Sequence, residues 1–430
     1  MPKKTPVWFR QRNYLHFDLP IGYRSAKKLV TNPKKVAENS FYPFIHYVIK
    51  SQKIEKDSST GIIETLPPKK RPISYAAHRD SSIYSYYAYQ LTELYENELT
   101  KRHISNSVLA FRTLGKNNVD FAKFAFDEIQ KRGNCSVVAL DIKSFFDTLD
   151  HGILKQQWAK LLGKHKLPKD HFAVYKSLTR FSKVSRDKLY EKLGISIHNP
   201  KHNRYRICEP EVFRHEIRKS GLITTNTDKF GIPQGSPISA LISNIYMMDF
   251  DENASRVVEE QGGVYLRYCD DMLFIVPNEF RDDIQRFAER SIKNLKIEIN
   301  RKKTEKRKFV LKGGVQISSK PLQYLGFTFD GERVLIRSAA LARYSDKMKR
   351  GVKFAGATMR KRNEIRKQQG LPPQNLYKRQ LYKRYSHLGS RNFLSYGLKA
   401  SKVFKSRAIR RQLKPLWGRL NKKINNEPIL

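Results

Sequence analysis

Short runs of β-branched and apolar residues in the middle of the chain predict strands. One run covers 136–141, and two more, at 263–268 and 272–276, flank the polar residues 269–271. Two apolar runs joined by a tight polar turn are typical of a β-hairpin. We therefore expect a buried hairpin and at least one further strand in this region.

The residues that follow mix helical and strand periodicity. Apolar positions in 282–295 recur at helical spacing, whereas 296–300 and 322–329 alternate as strands do. Asp330-Gly331 is a strong hairpin-turn signal. Strands interspersed with helices predict an α+β sheet domain.

The C-terminal segment 338–430 has a different pattern. Its apolar residues fall at helical spacing around 376–388 and 393–398, and 370–373 (Gly-Leu-Pro-Pro) breaks the pattern. The segment carries 25 Lys and Arg against three acidic residues, a net charge of +22. It is either a helical clamp for nucleic acid or an ordinary helical domain with a solvated charged face, and the scarcity of acids favours the clamp.

The amino-acid composition favours a nucleic-acid-binding protein and excludes several other classes. Lys and Arg number 84 against 40 Asp and Glu, a net charge of +44, and the usual use of such a surface is to neutralise phosphates. No apolar run is long enough to span a bilayer, and the first residues lack the apolar core of a signal peptide. The three cysteines are far apart in the sequence, so we expect a reducing, cytoplasmic setting without zinc or disulfides.

Three carboxylates stand out against this background. Asp141 closes a predicted strand, and Asp270 and Asp271 occupy the predicted hairpin turn. Like charges in one place raise each other's pKa unless a cation neutralises them, and Mg²⁺ prefers oxygen ligands. If the strand lies beside the hairpin, the carboxylates could hold two metals for phosphoryl transfer. The alternative is that a strand-ending Asp and an Asp-Asp turn, both of which are common, have no catalytic role.

Seven segments resemble, in order, the sequence motifs of reverse transcriptases. Residues 268–271 (Tyr-Cys-Asp-Asp) resemble the Tyr-x-Asp-Asp signature of that family. The other segments are 69–73 and 110–112 (fingers motifs), 141–146 (first acidic motif), 230–239 (Pro-Gln-Gly motif), 300–304 (lysine motif) and 324–327 (primer grip).

The resemblance implies a right-hand polymerase with fingers, an RRM-like palm sheet and an α-helical thumb. The expected domains are an N-terminal extension (1–60), fingers and palm (61–337) and a basic helical thumb (338–430). A possible insertion lies at 185–228, either gripping RNA or forming a plain surface loop with two short helices. The aromatic and basic N-terminal residues could stack on bases or pack against the fingers.

The resemblance also implies the catalytic residues. Asp141 and Asp270 would hold two Mg²⁺ ions, with Asp271 beside them and the backbone carbonyl of Ile142 as a further ligand. The reaction is the attack of a primer 3′-hydroxyl on the α-phosphate of a dNTP. Lys303 would protonate the leaving pyrophosphate. Because residues 301 and 302 are also basic, the sequence leaves open which of the three matches the lysine of the family.

In the family, other matched positions bind the nucleotide and the primer. Phe146 would exclude the 2′-hydroxyl of ribonucleotides, with core packing as the alternative and Phe145 as the expected core residue. The remaining nucleotide contacts would come from Arg71, Lys69 (with Lys70 as an alternative), Gln234 and Gly235. Primer contacts would come from Leu325 and Gly326.

The compact layout is most similar to bacterial retron and defence-associated reverse transcriptases, with group II intron enzymes as relatives. Residues 14–20 and 40–45 look most like type 2 of the defence-associated enzymes. The implied function is antiphage defence, in which a structured noncoding RNA is copied into cDNA from dNTPs. A template-independent or protein-primed DNA polymerase, a catalytically idle RNA-binding protein and an RNA-dependent RNA polymerase are the alternatives.

Overall fold

The computed structural model describes residues 5–56 and 63–428. They divide into two compact units, drawn from 5–53, 64–112 and 138–304 for the first and from 54–56, 63, 113–137 and 305–428 for the second. Both units contain helices and strands, so the predicted α+β class is confirmed.

The helices and strands follow in chain order. In the described residues the helices are α1 Tyr23–Val30, α2 Pro33–Ala37, α3 His78–Lys101, α4 Asn118–Arg132, α5 Phe145–Thr148, α6 His151–Leu161, α7 Lys169–Thr179, α8 Arg186–Lys192, α9 Pro210–Val212, α10 Ser239–Glu260, α11 Arg281–Asn294, α12 Ser338–Gln368, α13 Lys378–Tyr385, α14 Phe393–Val403 and α15 Arg407–Asn425. The strands are β1 Phe44–Lys56, β2 Ile63–Tyr75, β3 Cys135–Asp141, β4 Ser182–Ser185, β5 Ile223–Thr225, β6 Val264–Tyr268, β7 Asp271–Val276, β8 Glu305–Lys312, β9 Val315–Ser318, β10 Leu322–Tyr324, β11 Phe327–Phe329 and β12 Val334–Ile336.

The first unit is built around α10 and the hairpin of β6 and β7. Most residues of α10 are buried, which is typical of a helix that lies inside the hydrophobic core. The hairpin pairs Tyr268 with Asp271, and β3 lies on the other side of β7. The predicted strand, hairpin and following helix are therefore confirmed. Their apolar faces meet in one large core.

A second sheet of this unit has the order β2-β1-β4-β5. β1 runs parallel to β4. The edge strand β5, which pairs with β4, belongs to the stretch 185–228 that was predicted as a possible insertion. Ile207 and Phe213 of that stretch are buried in one cluster with Leu15 and Phe17. The stretch thus contributes an edge strand and core residues to the unit, and it is more than a surface loop.

The described N-terminal residues also pack against the first unit. The Tyr14 hydroxyl donates to the Ala76 carbonyl at 2.8 Å, and the rings of Trp8 and Tyr86 lie 5.3 Å apart, edge to face. These contacts occupy both aromatic side chains, so the structure favours packing over base stacking for them.

The second unit contains an antiparallel strand pair, a three-stranded meander and helices. β8 pairs with β9, and β10, β11 and β12 form a meander. Its longest helix, α12, buries a narrow stripe spaced by four residues at Tyr344, Met348, Val352 and Gly356. Met359 and Asn363 are also buried, and the basic residues of the helix lie outside these buried positions. The predicted helical segment and its break at 370–373 are confirmed.

Two predicted strands were wrong. Residues 322–329 are not one strand, because a turn at Leu325-Gly326 separates β10 from β11. Both turn residues have positive φ, 44° and 95°, as a two-residue hairpin turn requires. Residues 296–300 contribute a single bridge, from Ile299 to Ile142.

Among the described residues, the structure contains no helix with the length and hydropathy of a transmembrane span.

Candidate active site

The backbone of Asp141 and Ile142 lies between two other segments of the first unit. Ile142 N–H donates to the Asp270 carbonyl at 3.1 Å, and Asn300 N–H donates to the Asp141 carbonyl at 2.7 Å. The predicted proximity of the strand end and the hairpin turn is therefore observed. Only 8% of Asp141 is exposed.

The turn of the β6–β7 hairpin has an unusual backbone conformation. Cys269 has a φ of 61°, in the left-handed region that costs a non-glycine residue about 1–2 kcal/mol. Such strain persists only where the surroundings impose it, and it recurs at functional sites. Here it sets the path of the chain into Asp270 and Asp271.

A buried ion pair underlies this turn. The side chains of Arg267 and Asp251 are both 0% exposed, with Nη2 and Oδ2 2.5 Å apart and Nε donating to Oδ1 at 2.7 Å. Arg267 Nη1 also donates to the Cys269 carbonyl at 3.1 Å. The sequence analysis missed this pair, although a lone Arg inside the apolar run 264–268 was the available signal. Its geometry holds the turn that carries Asp270.

The lysine motif meets the first carboxylate. Lys303 Nζ lies 2.6 and 2.7 Å from the two carboxylate oxygens of Asp141, and Asn300 Nδ2 lies 3.3 Å from one of them. The contact identifies Lys303, among the three consecutive basic residues, as the one that faces the carboxylates.

The other carboxylates and cations are electrostatically linked. Burial, followed by the charges of Asp270 and Asp141, raises the pKa of Asp271 to about 7, against the opposing effect of Lys303 and Lys69. Burial and the positive charge of Lys303 lower the pKa of Lys69. Arg71 contributes to the same lowering, whereas the charges of Asp141 and Asp270 oppose it, so Lys69 of the first fingers motif lies within electrostatic range of two carboxylates.

The residues present fit a divalent cation in part. The donors are carboxylate oxygens, which Mg²⁺ prefers, and the Lys303 ammonium stands on Asp141 as a cation would. Across residues 5–56 and 63–428, however, no three His, Cys, Asp or Glu side chains are arranged as a ready metal cage. Asp141 could therefore bind a metal only when the Lys303 ammonium moves away.

The predicted nucleotide contacts lie in the same unit. Phe145 is buried, as expected, while Phe146 is half-buried and its carbonyl accepts from Ile232 N–H at 2.8 Å. Ile232 lies in the Pro-Gln-Gly motif (230–239), directly before Pro233, so this bond joins the two motifs. The nucleotide-selecting role of Phe146 stays a prediction.

Gly235 has a structural reason to be glycine. Its φ is 114°, and a Cβ there would lie 2.7 Å from the Ser74 carbonyl oxygen. The neighbouring Gln234 carbonyl accepts from Ser74 N–H at 2.8 Å. The motif backbone therefore packs directly on β2, a close approach distinct from the expected approach to a base.

Leu325 and Gly326, the predicted primer contacts, form the β10–β11 turn of the second unit. The Leu325 carbonyl accepts from Asn118 Nδ2 at 3.0 Å. A leucine with a φ of 44° is strained. This bond is one restraint that holds it, and the contact with a primer stays a prediction.

Comparison with known families agrees with the motif order. Residues 54–329 match the family described as reverse transcriptase (RNA-dependent DNA polymerase). The match covers more than half of the sequence, and the chain belongs to the reverse transcriptase family. No curated protein matches the sequence significantly.

Several solved structures are similar to the chain. Apo telomerase from Candida tropicalis is 12% identical with a TM-score of 0.43, covering 94% of this chain and 64% of its own. Telomerase from the same organism in complex with a TWJ fragment of telomeric RNA is 15% identical with a TM-score of 0.40, covering 93% and 58%. This chain thus spans less than two thirds of their length.

Proposed function

We propose that this protein is an RNA-directed DNA polymerase that copies a structured noncoding RNA into cDNA. The observation that carries the proposal is the convergence of Asp141, Asp270 and Asp271 with Lys303 and Lys69 inside a reverse transcriptase domain. Phosphoryl transfer asks little covalent chemistry of a protein, so positioning and charge stabilisation are its main tasks.

In this proposal the carboxylates hold Mg²⁺. Asp141 and Asp270 bind two ions, with Asp271 beside them and the Ile142 carbonyl as a further ligand. Two bound Mg²⁺ ions would supply activation of the primer hydroxyl and neutralisation of the leaving oxygen.

The cations act on the triphosphate. Lys69 and Arg71 bind its oxygens, since Lys69 interacts with the charges of Asp141 and Asp270, and Arg71 interacts with Lys69. Lys303 leaves Asp141 and donates a proton to the departing pyrophosphate. Its 51% exposed side chain leaves room for that movement.

Selection of the nucleotide and grip on the primer come from the remaining motif residues. Phe146 excludes the 2′-hydroxyl, Gln234 and Gly235 line the nucleotide pocket, and Leu325 with Gly326 contacts the primer. The basic segment 338–430 is the thumb that binds the template–primer duplex.

We further propose antiphage defence in bacteria as the setting, with a dedicated RNA partner and a cytoplasmic location. The resemblance of 14–20 and 40–45 to defence-associated enzymes supports the setting. The net charge of +44 supports a large RNA partner, and three unpaired cysteines fit a reducing compartment.

Incorporation of dNTPs by the purified protein tests the activity. Wild type should extend a primer on an RNA template with Mg²⁺, and the Asp270→Asn, Asp271→Asn double variant should lose activity at least about 100-fold, since metal ligation supplies several kcal/mol. Asp283→Asn, an exposed change on α11, is the matched control. Equal activity of wild type and the double variant would refute the site.

Sequencing of copurified RNA and of the cDNA product tests the template. A uniform RNA with complementary cDNA is the expected result. Products unrelated to the RNA would favour a template-independent polymerase, and RNA bound without any synthesis would favour an idle binding protein. Expression of the chain with its RNA should reduce phage plating, and an equal reduction by the double variant would exclude a polymerase role in defence.

A further inference from the structure

Two neighbouring cavities open in the helices of the second unit. The first has a volume of about 580 Å³ and the second about 340 Å³. They share three lining residues, Gln380, Arg384 and Tyr385, so one wall of α13 separates them.

The first cavity is lined by cations without acidic partners. Its basic residues are Arg343, Lys347, Lys383, Arg384 and Arg391, and no acidic side chain lines either cavity. In the part of the chain that the structure describes, none of the five forms an ion pair, and nearby Asp346 is bound to Arg350 at 2.5 Å. A concave surface with this much uncompensated positive charge attracts an anion such as phosphate.

The second cavity suits a flat, polar-edged ring. Phe354 and Tyr377 line it while remaining 76% and 62% exposed, so aromatic faces are available for stacking. The Asn363 amide is engaged by the backbone of Gln374, at 2.8 and 3.1 Å. The amides of Asn375 and Gln380 also line the cavity and offer donors and acceptors to a base edge.

The shared wall is fixed before any ligand binds. Tyr344 Oη donates to the Tyr385 carbonyl at 2.5 Å, and a Cβ at Gly351 would lie 2.4 Å from the Tyr385 hydroxyl. Glycine at 351 thus lets the Tyr385 ring approach the backbone of α12. A pre-formed wall reduces the entropy lost on binding.

We propose that the two cavities form one site for an unpaired nucleotide of a bound RNA. The base stacks on Tyr377 and Phe354 in the second cavity, and the adjoining phosphates lie among the cations of the first. The proposal rests on the proposed function, in that the strand is the structured RNA partner, whose loops and bulges present unstacked bases. A strand fits better than a mononucleotide, because the exposed rim leaves the base partly open and phosphates on both sides add contacts.

Binding of a fluorescently labelled RNA hairpin with a single-nucleotide bulge by the full-length protein, without dNTPs, tests the site. Tyr377→Ala should weaken binding at least about 5-fold, since stacking on one aromatic ring is commonly worth that much or more. Tyr377→Phe keeps the ring and should bind as wild type does. Tyr89→Ala, which removes an exposed ring from α3 of the first unit, is the matched control.

The proposed phosphate contacts are tested by two matched variants on α13. Arg384→Gln should weaken binding more than Arg379→Gln, because both remove one charge from the same helix but only Arg384 lines the cavities. The same hairpin without the bulge should bind wild type and Tyr377→Ala equally.

Several outcomes would overturn the proposal. They are equal binding by Tyr377→Ala and Tyr89→Ala, displacement of the hairpin by millimolar AMP or UMP, and stronger dependence on Tyr377 for a DNA hairpin than for RNA. The binding assay contains no dNTP and so does not depend on polymerase activity. A protein that incorporates no dNTP but still loses affinity for the bulged hairpin on Tyr377→Ala would refute the proposed function alone. Active polymerisation with no effect of Tyr377→Ala would refute this site alone.

Discussion

The buried pair of Arg267 and Asp251 gives the sharpest prediction about the catalytic turn. Arg267→Met keeps most of the apolar stem but leaves Asp251 with no cationic partner in the fully buried geometry described. Removal of one partner from a buried ion pair typically costs about 3–5 kcal/mol, because the remaining charge is uncompensated.

The contacts around the pair support the upper part of that range. Asp251 accepts from Arg267 through both oxygens and from the Tyr265 hydroxyl at 2.8 Å, and Arg267 donates to Asn244 at 3.1 Å. Burial opposes the charged guanidinium, yet Asp251, with smaller contributions from Tyr265 and Tyr95, raises the pKa of Arg267. The pair is thus strongly coupled, and its loss also removes the donor to the Cys269 carbonyl.

Urea denaturation of wild type, Arg267→Met, Asp251→Asn and the double variant measures the coupling. The double variant should be more stable than the sum of the single effects by about 1–3 kcal/mol, since it buries no lone charge. Arg267→Lys should retain more stability than Arg267→Met, yet it should polymerise more slowly than wild type because it lacks the planar fork that reaches Cys269.

Two results would refute this reasoning. One is a cost below about 1 kcal/mol for Arg267→Met, the value expected of a surface pair. The other is wild-type dNTP incorporation by folded Arg267→Met, which would show that the turn holds its conformation without the guanidinium.

Three further predictions concern other parts of the first unit. Asp18→Ala should lower the free energy of unfolding in urea by about 1–2 kcal/mol, because its carboxylate accepts the first two N–H groups of α3 at 2.9 Å. The contribution of His16 to stability should fall as the pH falls from about 6.5 towards 3, because burial lowers the pKa of His16 to about 3 and only the unfolded chain then binds the extra proton. The stability of wild type relative to His16→Gln, read from their urea midpoints, should therefore decrease as the pH falls through that window. Phe146→Ala should incorporate rNTPs at least about 10-fold more readily relative to dNTPs, if the ring excludes the 2′-hydroxyl.

Each of these has a matched control in the chain. Asp283→Ala removes an exposed acid and should leave stability unchanged, and His198→Gln, also exposed, should keep the wild-type acid sensitivity. Phe172→Ala, on α7, should not alter nucleotide choice. Equal stability of Asp18→Ala and wild type, an unaltered pH profile for His16→Gln, or unchanged rNTP use by Phe146→Ala would contradict the respective argument.

Most of the central fold could be predicted from local patterns. The strand ending at Asp141, the hairpin of β6 and β7 and the helix α11 each follow from periodicity within one short segment. The turn at Leu325-Gly326 was missed because alternation continues across it. Only the positive φ of both residues, which the strand pairing imposes, distinguishes it from a continuous strand.

The sequence by itself determined the family and the identity of the three carboxylates, because motif residues lie a few positions apart and their order is independent of packing. The partner of Asp141 among three basic residues, the pairing of Arg267 with Asp251 and the cavities beside Tyr385 were decided by the tertiary structure. Each depends on side chains from distant segments meeting at hydrogen-bond distance. Such contacts follow from how helices and strands pack, which no local pattern specifies.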